Sequence, residues 1–174
     1  QKSGDESPSD AQEKKDEKTE EDATPMTEED VVIKKFCGYE FGAAKPELEG
    51  KGSIKMARPF RHYEYIRPTY GSYSGKLVAL ALESRQPIMD RDERSKALNG
   101  VALLFEKKYG IQFENSGDCF YFNNPHLHIY LTAHRIEVRN LDCEKQERRA
   151  ADAQREKLKR SGMNSDADKD ADVL

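Results

Sequence analysis

The chain has no tryptophan, three cysteines and four histidines, and no apolar run approaches the roughly 20 residues of a membrane-spanning helix. These shortages exclude several functions. Cys37, Cys119 and Cys143 form no CxxC pair and no Cys–His cluster, so their spacing fits no zinc pattern. An odd count leaves at least one thiol unpaired within a monomer. Small buried hydrophobes are the first reading of these cysteines, one disulfide with a free thiol the second, and a reactive cysteine the third. A phosphate-cradling loop is also missing, because Gly50-Lys51-Gly52-Ser53 lacks the Walker spacing and no helix follows it. Nothing implies a cofactor, and no motif specifies a reaction.

Charge is present in quantity but unevenly placed. Residues 1–30 hold 4 Lys/Arg against 12 Asp/Glu, and Met26 is their one large apolar side chain. Such a segment cannot bury enough surface to offset chain entropy and is expected to be disordered. Residues 31–140 hold 17 Lys/Arg against 12 Asp/Glu, and residues 141–174 hold 8 against 9. The net charge of −4 therefore describes the ends, while the middle is mildly basic. The pattern divides the chain into a disordered acidic tail (1–30), an α+β core domain (31–140), a charged helix (141–160) and a second acidic tail (161–174), also expected to be disordered. The chain begins at Gln1 rather than Met, and a polar leader of about 30 residues suits the segment behind a cleaved signal. An exported location, periplasmic or extracellular, is the expectation, with a cytoplasmic one as the other reading.

Residues 31–42 read as a first strand with Gly38 and Gly42 marking a bulge, and residues 53–57 as a strand that Pro59 confines to an edge. FRHYEYIR (60–67) and KLVALALE (76–83) read as strands joined through a Pro/Gly/Ser turn, the second apolar on both faces and therefore interior. The spacing of Leu98, Val101, Ala102, Phe105 and Tyr109 predicts a helix over 91–109, with Asp90 as N-cap and Gly110 just past its end. Strands follow at 118–123, 126–132 and 134–140 as a meander. Residues 141–160 are helix-prone but lack an apolar stripe, so they are expected to project, dock weakly or pair with a partner. The order β-β-β-α-β-β-β-α predicts an α+β fold, with one antiparallel sheet and a single helix on one face.

Four constellations merit weighing. Arg61, Tyr63, Tyr65 and Arg67 alternate on strand 60–67 and are expected to share one partly exposed face, suited to a protein or peptide partner. Stacked bases are a weaker reading, since the middle is only modestly basic and carries no RNA-binding signature. His126 and His128, two apart on a strand, would share a face with Tyr130, near His134, and form the candidate metal site. A hydrolase reading would set Cys119 against His126 or His128, with no orienting third group. The run Asp166–Asp172 is similar to the start of a calcium loop, but Ala171 replaces the needed glycine and the chain ends before the bidentate glutamate. The sequence thus favours a non-enzymatic binding or structural domain that contacts a macromolecular partner, without membrane insertion. A metal-binding protein or hydrolase is the alternative, and a nucleic-acid module the weaker one.

Overall fold

The computed structural model describes residues 27–47, 52–86 and 88–171, with side chains described as far as Ser161. Disorder was expected over residues 1–30 and 161–174; residues 1–26 and 172–174 fall outside the described residues, whereas Glu28–Asp30 form a short 3-10 turn and the backbone of 161–171 is helical. Val31, Ile33, Phe36 and Phe41 are buried, so the chain enters the core soon after the acidic leader ends. They do not lie on one long strand. Lys35–Phe36 (β1) and Tyr39–Glu40 (β2) form a separate two-residue hairpin. The break falls at Cys37 and Gly38, both at positive φ (47° and 86°), which turns the chain back on itself.

The main sheet has seven antiparallel strands: β3 (Ile54–Phe60), β4 (Tyr63–Tyr70), β5 (Leu77–Glu83), β6 (Glu114–Ser116), β7 (Cys119–Asn123), β8 (Leu127–Thr132) and β9 (Arg135–Asn140). Their order across the sheet is β3-β4-β5-β9-β8-β7-β6. β5 is interior, as its two apolar faces require. β3, which carries Pro59, is an edge strand whose pairing shifts between Lys55 and Phe60. The short β6 closes the other edge and was not foreseen, because Glu-Asn-Ser carries no strand signal.

Helix α1 spans Arg91–Tyr109. Asp90 Oδ1 accepts a hydrogen bond from Glu93 N at 2.9 Å, and Gly110 takes the left-handed conformation at φ 69°, its N–H donating to Glu106 O. Leu98, Val101 and Phe105 are buried against one sheet face. Phe105 contacts Phe36, Tyr109 and Phe113, with ring centroids at 5.6 to 5.7 Å. Gly100 faces the Arg61 guanidinium: a Cβ there would stand 2.9 Å from Arg61 Nη1, so the end of that side chain would have to shift.

The register sets Ile66, Leu82, Ile136, Leu131 and Phe120 in one row on the face under α1, and Leu80, Val138, Ile129 and Phe122 in the next. The opposite face carries polar side chains and no helix across its middle. The architecture is α+β: one principal antiparallel sheet, a helix on one face and a C-terminal helix.

That second helix, α2 (Leu141–Ala171), follows β9 directly and runs past Arg160, where the sequence placed its end. Asn140, buried, caps it by accepting from Cys143 N at 2.9 Å. Its first turns dock on the β4–β5 turn, where Glu147 accepts from the backbone N–H of Tyr73 at 2.7 Å and of Ser74 at 2.8 Å. Gly71 permits this approach, since a Cβ there would collide with the Glu147 carboxylate. Residues 152–161 are all exposed, and Leu158 is 65% exposed. The helix therefore docks by one end and projects by the other. Among the described residues no helix is long and apolar enough to cross a membrane.

Candidate functional site

The uncovered sheet face is built by strand alternation. On β4, Ile66 pairs with Leu82 on the core side, which leaves Tyr65 and Arg67 on the other. The same parity brings Glu83 and Arg135 into the row of Tyr65, and Ala81, Glu137, Tyr130 and Tyr121 into the row of Arg67. A third row holds Thr69, Ala79, Arg139, His128 and Asn123.

Charges on this face alternate in sign and hold one another. Glu83 Oε2 accepts from Arg67 Nη2 at 3.2 Å and from the Ser53 hydroxyl at 2.7 Å. Its Oε1 accepts from Arg135 Nη1 at 2.9 Å, and Arg135 reaches Glu137 at 2.8 Å. Glu83 is only 18% exposed against 47% for Arg67, so a shielded carboxylate anchors two more open guanidiniums. Arg85 lies over the Tyr65 ring at 3.9 Å, and Arg139 forks onto Glu144 of α2 at 2.7 and 3.1 Å.

The tyrosines add flat, amphipathic surface. Tyr121 donates to Glu114 Oε2 at 2.6 Å, and that hydrogen bond to a carboxylate raises its hydroxyl above the ordinary tyrosine range. Tyr130, 38% exposed, is raised in the same direction by hydrogen bonding with Cys119. Where α2 meets the sheet, a groove of about 370 Å³ runs between Thr69, Ala79, Glu137 and Arg139 on the floor and Glu144, Glu147 and Arg148 on the wall.

Two of the four residues expected on this face are elsewhere. Tyr63 is fully buried and donates through its hydroxyl to Thr132 O at 2.7 Å. It stands beyond the end of β5, whose pairing with β4 begins at Tyr65, and opposite the irregular stretch of β3. Free of a two-sided register, its ring reaches the β8–β9 turn and joins the core. Burial pushes its hydroxyl well above the usual tyrosine range, against the pull of Arg61. Arg61 precedes the strand at φ 54° and lies against α1 rather than on the sheet. Tyr65 and Arg67 are the pair that shares the face.

The histidines also part. β8 begins at Leu127, so His126 lies outside the strand, and its Nδ1 is 2.6 Å from Asp142 Oδ2 in the first turn of α2. His128 alone is on the open face. Among the described residues no three His, Cys, Asp or Glu side chains converge as a metal site would require. Cys119 pairs with Thr132 while His128 pairs with Asn123, four residues along β7. That separation is roughly 13 Å, too far for a nucleophile and its base. All three thiols are free. The backbone of Asp166–Ala171 is helical, not the open loop a calcium site needs.

Sequence reading missed Glu83 and Arg135 as members of the site. Glu83 had a signal, as the single charge at the end of an apolar strand, but its partners depend on which strand lies beside β5. Neither a family model, nor a curated protein, nor a solved structure matches the chain.

Proposed function

We propose that this protein is a non-enzymatic binding domain whose uncovered sheet face engages a protein partner. The observation that carries the reading is a rigid surface of tyrosines and alternately charged side chains, left open by α1 and bounded at one end by α2. Interface hot spots favour Tyr and Arg, and side chains fixed in advance by ion pairs lose little freedom on binding. The pairing of the arginines also discriminates between partners. A nucleic-acid backbone would compete with Glu83, Glu137 and Glu144 for them, and these carboxylates would repel it. A partner of mixed charge meets no such conflict. The exposed length of α2 adds a wall that a partner can grip beside the sheet floor.

Photo-crosslinkers placed at Tyr130 or at Arg67 test the proposal in cells that express the full chain. Both positions are expected to capture the same protein, while Leu103 on the outer face of α1 captures none. With that protein purified, Tyr65→Ala or Tyr130→Ala is expected to weaken binding by roughly 5- to 30-fold, the range for an interfacial anchor. Equal capture from the sheet and from Leu103 would remove the support for this face. A steep loss of affinity with salt would indicate phosphate contacts instead.

A further inference from the structure

A cleft opens at the margin of the sheet face, where three segments distant in sequence meet. The first turns of α1 supply Arg91, Arg94, Ser95 and Leu98, the β6–β7 turn supplies Asp118, and the β8–β9 end supplies His134. The cleft encloses about 590 Å³, within the range of small-molecule sites. Phe120, Tyr130 and Ala133 give it an apolar side.

Its electrostatics are unlike those of the sheet face. There Arg67, Arg135 and Arg139 are each met by a carboxylate, whereas among the described residues neither Arg91 nor Arg94 is in an ion pair. The Nε of Arg94 is shut off from solvent and has no hydrogen-bond acceptor. A buried guanidinium N–H left in that condition costs free energy, and neither arginine is committed to a partner among the described residues. Two guanidiniums one helical turn apart, the Ser95 hydroxyl and the His134 ring are all donors suited to an oxyanion. Asp118 is the one carboxylate on the lining.

We infer that this cleft binds a small organic phosphate, with the phosphate on Arg91 and Arg94 and the organic part against Leu98, Phe120 and Tyr130. Arg91 and Arg94 offer their outer Nη groups to the anion, and the apolar wall selects a phosphate that bears a planar or hydrocarbon group. The cleft shares Tyr130 with the sheet face, but Arg91 and Arg94 have no part in the partner reading, so a failure of phosphate binding leaves that reading untouched.

The test uses the full chain labelled for NMR, with phenyl phosphate, inorganic phosphate and phenol as probes. Phenyl phosphate is expected to shift the Arg94, Ser95 and His134 amides saturably, and to bind roughly fivefold or more tighter than inorganic phosphate, since apolar area adds to the charge contacts. Phenol alone is expected to cause no saturable shift. Arg91→Gln is expected to weaken phenyl phosphate roughly tenfold, and Asp118→Asn to tighten it severalfold by removing the opposing charge. Both changes are at exposed positions, so the test does not depend on whether Arg94→Gln folds. Shifts that do not saturate, that map outside the cleft, or that ignore Arg91 and Asp118 would overturn the inference.

Discussion

Tyr63 and Tyr65 are two residues apart and have opposite work. Tyr63 fills the core at the end of the sheet and satisfies the Thr132 carbonyl, whereas Tyr65 is only partly buried, under Arg85. Tyr63→Phe keeps the ring and removes the donor, and is expected to cost about 1–2 kcal/mol. Tyr63→Ala also leaves a cavity and is expected to cost about 3–5 kcal/mol. Tyr65→Ala is expected to stay within about 1 kcal/mol. Urea denaturation of the three variants checks the order, and equal losses at the two positions would contradict it. The distinction was not legible in the sequence. Alternation assigns both tyrosines to one face, and it fails at Tyr63 because β5 has already ended there. Where a strand loses its neighbour depends on register, which is set by residues far along the chain. The cleft was hidden for the same reason, since Arg94, Asp118 and His134 are separated by 16 residues or more.

Elements whose signals are local were legible. The limits of α1, its aspartate cap, its terminal glycine and its buried stripe all follow from residues within one helix. The meander β7–β9 was likewise written in its alternation. The β1–β2 hairpin was not, because its turn rests on a left-handed Cys37, a conformation that cysteine rarely adopts. Helix α2 was read as helical, but its docking depends on contacts that only the fold creates. Glu147 is held below its ordinary range by hydrogen bonds from the Ser74 hydroxyl and from nearby backbone N–H groups. At Asp142, partial burial pushes the carboxyl up, but hydrogen bonds and charge from His126 and Lys145 outweigh it and leave it lowered. A carboxylate lowered in the folded state contributes stability above its unfolded pKa and loses it as pH falls through the folded value. Docking of α2 is therefore expected to loosen as pH falls below the ordinary carboxylate range, before the sheet opens. Glu147→Gln should mimic this at neutral pH, raising hydrogen exchange at the Tyr73 and Ser74 amides roughly tenfold while β5 and β9 stay protected. Unchanged exchange at those two amides would show that Glu147 does not anchor the helix.

At the scale of the whole molecule, the first part of the alkaline loss of stability is expected to come through one thiol, before the buried Tyr63 hydroxyl adds to it. Cys37 sits in the β1–β2 turn, packed against the same core that holds Phe36, Phe41 and Phe105. Burial pushes its thiol up to about 11 from an ordinary value of 9.0, with Lys108 pulling the other way. The folded chain thus binds this proton more tightly than the unfolded one. Its contribution is complete below pH 9 and is lost as pH rises toward about 11. The loss is expected to reach about 1–2 kcal/mol, less than full linkage would give, because part of the thiol remains open to water. Cys37→Ala removes the titrating group, and alanine adopts the same left-handed backbone at similar cost. Urea midpoints measured under reductant from pH 8 to 11 should therefore fall less steeply for Cys37→Ala than for the unaltered chain. Parallel slopes would mean that the hairpin opens to solvent before the core does, so that ionisation at Cys37 is not coupled to global unfolding.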